Sequence, residues 1–197
     1  MPRPKSYDRQ NALSKACYAF WEHGYQALGV RELERLTGIN QFAIRSEFGG
    51  KEGLYLEALQ LYCDGAITWA MAPMKDGRIP QIIVFLNGLI TQGSRTSSEF
   101  GCLVVNTGIE NARIQSPRLE NAVTSYWAAL EDHFRRALEN ERSAQGDTAD
   151  FTPDELAKAL VPAVMGVHAQ NRAQRSHSAG RPLVALLCSQ LAQLRGP

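Results

Sequence analysis

Between Leu119 and Leu138 the apolar residues Leu119, Val123, Trp127, Leu130, Phe134 and Leu138 fall three or four apart and trace one face of a long helix. The same period governs the rest of the chain. Leu13, Ala16, Cys17 and Phe20 carry it up to Gly24, a helix stop signal. Val30, Leu33 and Leu36 mark a short helix ending before Gly38, and a third runs from about Gln41 to Phe48 with Asn40 as N-cap. Lys51 opens a longer helix through Leu54, Ala58 and Leu61 toward Trp69. The stretch from Pro73 to Pro80 reads as a loop and domain boundary. Beyond it, Ile82, Phe85, Leu86 and Leu89 form another stripe. "CLVVNTGIE" is rich enough in β-branched residues for a strand, but among helices it reads as helix. Ser116–Pro117 is an N-cap followed by proline, and Thr152–Pro153–Asp154–Glu155 reads as a capping box. Leu156, Leu160, Val164 and Val167 follow, with a kink expected at Pro162. A last helix starts at Pro182 and carries Leu183, Leu187, Leu191 and Leu194. No hairpin signal or internal repeat interrupts the pattern, so the expected fold is all-α.

Composition narrows the function classes. With 197 residues, 44% apolar and 21% charged, the chain is long and apolar enough to bury a core. A formal net charge of +1 excludes nucleic acid held over the whole surface and leaves only local contact. "MPRPKSYDRQ" lacks the apolar run of a signal peptide, and no stretch reaches bilayer-spanning length. A cytoplasmic chain is therefore expected, with Cys17, Cys63, Cys102 and Cys188 reduced and no membrane partner. The four histidines are dispersed, so neither a metal nor a cofactor is expected. No Ser/His/Asp or Cys/His arrangement, phosphate loop or close carboxylate pair appears, and the chain reads as a non-enzyme.

Three short helices with a tight turn at "TGIN" have the layout of a helix-turn-helix. With Ile44 and Phe48 as the buried edge of the third helix, a rotation of about 100° per residue places Phe42, Ala43, Arg45 and Ser46 on the opposite arc. Asn40 and Gln41 stand at its exposed start, and Glu47 falls near the buried side. A recognition helix offers its first turns to base edges in the major groove. Asn and Gln bond adenine bidentately, Phe touches a thymine methyl, and Arg serves guanine or phosphate. Lys51, at the next helix start, is a natural phosphate site. Arg3, Lys5 and Arg9 in the preceding arm add charge, and residues 1–55 hold eight Lys/Arg against six Asp/Glu. The spacing alone fits a solvated helix equally well.

The segment "ALSKACYAFWEHGYQALGVRELERLTGINQFAIRSEFGGKEGLYLEAL" resembles the N-terminal domain of the TetR family of transcriptional regulators. The matching positions are Phe20, Gly24 and Tyr25, the turn pair Gly38–Ile39, and Phe48 with Lys51 and Glu52. The resemblance implies a helix-turn-helix DNA-binding domain at 1–50, a connecting helix at 51–72, and a helical regulatory and dimerisation domain at 73–197. It implies a ligand-responsive repressor acting as a homodimer on a palindromic operator in double-stranded DNA. The DNA-binding set is Arg3, Lys5, Gly29, Arg31, Asn40, Gln41, Phe42, Arg45, Ser46 and Lys51. The chain departs from the family at Leu28–Gly29, where a hydroxyl cap is usual. It departs also at Arg45 and Glu47, where Tyr and His are common, and at Glu34, expected to lean outward where a small residue is usual.

For the second domain the resemblance implies a small-molecule effector. Trp69, Phe85, Tyr126, Trp127 and His168 are the candidate lining, though aromatic stripes at this spacing also fit plain core. The small residues Ala157, Ala159, Ala163, Gly166 and Ala169 suit close helix pairing between two copies, or ordinary packing within one. Cys102, after Gly101 at a helix start, is placed near N–H groups that favour a thiolate. Two alternatives stand beside the effector-responsive repressor: a regulator sensing oxidants or electrophiles through Cys102, and a helical protein–protein adaptor.

Overall fold

A computed structural model describes residues 7–94, 96–146 and 151–195. Among these the regular structure is helical throughout. The N-terminal part is α1 (Arg9–His23), α2 (Val30–Thr37) and α3 (Gln41–Glu47), followed by α4 (Lys51–Ala66). Asp8 caps α1 through its side chain, accepting from Gln10 N and Asn11 N. Gly38, at φ 78°, turns the chain out of α2, a left-handed conformation that suits glycine. Asn40 caps α3 by accepting from Ala43 N at 2.8 Å. Phe20, Leu33, Ile39, Ile44 and Leu54 meet in the head's core, each almost fully removed from water. Burial of each such side chain contributes about 1.5–3 kcal/mol.

The connecting helix departs from expectation. It does not end near Ala72 in a loop; residues Ile67–Met71 wind as a π-helical turn and the helix continues as α5 (Ala72–Lys75). Pro73 stands in the first turn of α5, directly after the π-helical turn. The loop shrinks to residues 76–78 before α6 (Ile79–Gly88) begins. Buried Glu141 accepts from Ile79 N at 3.2 Å and so serves a donor at the start of α6.

"CLVVNTGIE" is helical, within α7 (Leu103–Ile114). The stripe from Leu119 to Leu138 lies in α8 (Pro117–Gln145), capped by Ser116 as expected. Its partner along most of its length is α9 (Pro153–Gln174), which continues through Pro162. The capping box at Thr152 does not form: its side chain makes no cap bond, leaving proline at the first turn to start the helix. α10 (Arg181–Gln193) closes against α6 and α9. Buried Asn171 donates to the carbonyls of Leu89 and His177 and accepts from Gly180 N, fixing the turn between α9 and α10. No helix among the described residues is long and apolar enough to cross a membrane.

α1 belongs to both parts of the molecule. Trp21 donates its indole N–H to Gly101 O at 3.0 Å, and Arg172 of α9 reaches the Trp21 carbonyl at 3.1 Å. Just past that same end of α1, the Glu110 carboxylate of α7 accepts from Tyr25 N and Gln26 N. Gly24, at φ 84°, makes room for that approach, since a Cβ there would lie 2.4 Å from Glu110 Oε1. Tyr55 of α4 shares a buried hydrogen bond of 2.8 Å with Thr107 of α7.

Candidate nucleic-acid interface and the cavity behind it

The third helix presents a mixed face to solvent because its back is committed to the core. Ile44 and Phe48 are buried, as the spacing predicts. Phe42 is 79% exposed, with Gln41, Arg45 and Ser46 exposed around it. Two wheel placements are corrected. Ala43, assigned to the outer arc, is 4% exposed, since in the first turn it packs inward beside Ile44. Glu47, assigned near the buried side, is exposed and accepts from the Tyr7 hydroxyl at 2.9 Å.

The polar groups of this face are partly organised already. Glu34 on α2 leans outward and accepts from Gln41 Nε2 at 2.8 Å. That bond leaves the second N–H and the carbonyl oxygen of the amide for another partner. Asn40 spends its side-chain oxygen on the cap. The Ser46 hydroxyl donates back to Phe42 O at 2.9 Å. Arg45 and Arg31 are exposed. Gly29 caps α2 without a side chain, and a Cβ there would meet nothing within 4 Å.

Other predicted contacts fall differently. Arg3 and Lys5 lie outside the described residues. Arg9 is the first residue of α1 and not part of a free arm; its guanidinium bonds Glu57 and lies over the Phe48 ring at 4.8 Å. Lys51 does not project freely, for its ammonium sits 4.3 Å over the Tyr25 ring and burial pulls its pKa down.

Behind the head a cavity of about 300 Å³ opens between the helices. It brings together four of the predicted aromatic and imidazole residues: Trp69, Phe85, Tyr126 and His168. Trp69 is 64% exposed and sits in the π-helical turn. The other two predicted residues are not among those lining it. Trp127 is half-buried and packs edge-on against Tyr126, with centroids 5.0 Å apart. Cys102 is buried, with the Tyr62 hydroxyl as its hydrogen-bonding neighbour, so Tyr62 and not the thiol meets the cavity. Its helix-start position does not yield a thiolate, because burial pushes the thiol pKa up by more than its hydrogen bonds lower it.

The wall also holds Ser14 and Trp21, which periodicity did not single out, beside Cys17, which it did. Ser14, Cys17 and Trp21 of α1 line it, on a different arc from Ala12, Ala16 and Ala19 in the head's core. Their signal was a second charge-free stripe at spacings of three and four on the same helix. Burial pushes the Cys17 thiol up to about 11, so it is uncharged at neutral pH. His168 is 4% exposed, its Nδ1 has no hydrogen-bond partner, and burial lowers its pKa to about 4.

Comparison with known proteins agrees with this geometry. Residues 12–58 match the model of bacterial regulatory proteins, tetR family. The chain is 44% identical over 62 residues to the HTH-type transcriptional repressor ComR of Escherichia coli K12, a match spanning 32% of this chain but only 30% of that protein. It is 24% identical over 158 residues to the uncharacterized HTH-type transcriptional regulator YezE of Bacillus subtilis, covering 77% of this chain and 80% of that one. In fold it is similar to a cysteine mutant of the TetR family regulator CifR complexed with 26bp double-strand operator DNA. The TM-score is 0.80 at 22% identity, over 98% of this chain and 100% of that one. Residues 12–58 thus form a tetR-family segment, and the chain shares the fold of that regulator along nearly its whole length.

Proposed function

We propose that the protein is a cytoplasmic, ligand-responsive transcriptional repressor that acts as a homodimer on a palindromic operator. The observation that carries this reading is the outer face of α3, where an exposed Phe42 ring stands among Gln41, Arg45 and Ser46 on a helix whose other side is core. A ring in that position gains by meeting a thymine methyl or sugar edge, while Arg45 supplies charge for guanine or phosphate. Glu34, by holding one N–H of the Gln41 amide, fixes which end of the amide faces outward and leaves a donor and an acceptor for adenine. ComR is named a repressor and CifR was solved on operator DNA, which favours the same role here.

The working division is a reading head at 1–50, a connecting helix at 51–72 and a regulatory body at 73–197. Pairing of two bodies uses the outer faces of α9 and α10, where Ala159, Pro162, Gly166, Ala169, Ala185 and Leu186 stand exposed. A twofold pair presents two α3 helices to successive major grooves about 34 Å apart, or a multiple of that. The cavity is the effector site. Its wall includes α1 and the π-helical turn that extends α4, so an occupant presses on both helices that carry the head. The effector shifts the balance only by its difference in affinity for the two states, and tenfold derepression takes about 1.4 kcal/mol.

Salt-dependent binding to DNA upstream of the protein's own gene tests the reading. Arg45→Ala is expected to weaken binding to all sequences and to reduce the salt slope by about one unit. Gln41→Ala is expected to relax preference at one base pair by about 1–3 kcal/mol. Full affinity and an unchanged slope in both variants would remove α3 from the groove.

A further inference from the structure

We infer that the cavity accepts an uncharged aromatic molecule carrying one hydrogen-bonding group, and that the His168 imidazole is the anchor for that group. This names the chemical class of the effector and rests on the reading of the cavity as the effector site. Among the described residues, no Asp, Glu, Lys or Arg lines it. The wall consists of aromatic rings, aliphatic side chains, a thiol and a few hydroxyls, with the single imidazole of His168.

Most polar groups in that wall are already engaged. Ser14 donates to Gln10 O at 3.0 Å, Trp21 to Gly101 O, and Thr96 Oγ1 pairs with Ser94 Oγ. The Tyr62 hydroxyl is taken up by Cys102. His168 differs, because its Nδ1 is buried without a partner. A buried polar nitrogen left unpaired costs about 1–3 kcal/mol, and a nitrogen with no hydrogen bond of its own has none to give up when an incoming group bonds it. Burial also keeps the ring neutral, since its pKa is lowered to about 4, so it offers one N–H and one lone pair and no charge. A carboxylate entering this wall would give up its hydration with no cation to replace it. An ammonium would fare no better, whereas a phenol loses little and bonds the imidazole. The rings of Phe85, Tyr126 and Trp69 supply edges and faces for an aromatic body.

Calorimetric titration of the full chain with naphthol, naphthalene and naphthoate tests this, because the three share one ring system and differ in the polar group. Naphthol is expected to bind roughly tenfold more tightly than either of the others, the worth of one hydrogen bond. His168→Phe is expected to erase the gap between naphthol and naphthalene. Ala70→Trp, which fills space beside Trp69, is expected to abolish naphthol binding. Naphthoate binding as tightly as naphthol in the unaltered chain overturns the neutral class, whatever the variants do. A gap that survives His168→Phe overturns the anchor, and naphthol binding untouched by Ala70→Trp overturns the location. Binding of no member overturns the assignment together with the effector site. Naphthol that binds as expected yet never releases operator DNA supports the chemical class while removing the effector role.

Discussion

Phe42 and His168 invert each other's setting. Phe42 is an apolar ring held in water on a helix whose back is core; His168 is a polar ring held away from water in an apolar wall. Each is anomalous for its place, and the kind of anomaly indicates the kind of partner. An apolar ring framed by amide and guanidinium groups suits the edge of a duplex, with its methyls and phosphates. An unpaired imidazole in an uncharged wall suits a small neutral molecule. One surface is expected to show strong salt dependence and the other almost none, since screening acts on exposed charge.

The widest gap between the two settings comes from the same substitution made in water and in the core. Phe134, fully buried beside Phe85, should cost about 3–5 kcal/mol on replacement by alanine. Phe42→Ala should leave stability within about 0.5 kcal/mol while weakening operator binding several-fold. Urea denaturation beside DNA titration measures both. Equal destabilisation by the two variants would mean that the Phe42 ring is packed, not waiting for a groove.

Acid sharpens the comparison at the other residue. The His168 pKa falls from 6.5 to about 4 on folding, so between these values the unfolded chain binds more protons. The stability owed to the neutral ring is complete above about pH 6.5 and is lost as pH falls toward about 4. The full swing is on the order of 3 kcal/mol. His168→Phe should remove this part of the acid sensitivity, seen as a flatter dependence of the urea midpoint on pH. An unchanged profile would place the acid-sensitive group elsewhere.

The smallest expected effect lies at the entry to α2. Gly29 has φ −79° and ψ 160°, ordinary extended backbone, with open space where a side chain would stand. Gly29→Thr should therefore supply the missing cap and raise stability by a few tenths of a kcal/mol. In the unbound protein it should leave naphthol affinity unchanged. A change in cavity affinity would show that the head's second helix and the cavity are coupled more tightly than their separation suggests.

Much of the fold was legible because helical burial is written into spacing. The stripe from Leu119 to Leu138 and the Asn40 cap depend on near neighbours in sequence, and both are present. What escaped depends on distant neighbours. Thr152 had the right residues for a capping box, yet proline and packing start α9 without it. Glu47 lay toward the core on an ideal wheel, but α3 is seven residues long and its last turn opens to Tyr7. Cys102 was read from its helix start alone, whereas burial behind Tyr62 decides its chemistry. At the cavity, Phe85, Tyr126 and His168 were visible as inward positions on separate helices. Ser14 and Trp21 were hidden because α1 has two inward faces, and periodicity advertises the more aliphatic one; Cys17, counted in that stripe, turns to the cavity instead.

The clasp of Glu110 on the turn after α1 bears on how the molecule could be cut. A fragment ending at Ala66 would strand the amides of Tyr25 and Gln26, uncover the Tyr55 hydroxyl and release Trp21 from its carbonyl. The first four helices and the cavity wall are thus carved from one block, and a cut after Ala66 would leave a fragment with its own seams opened to water.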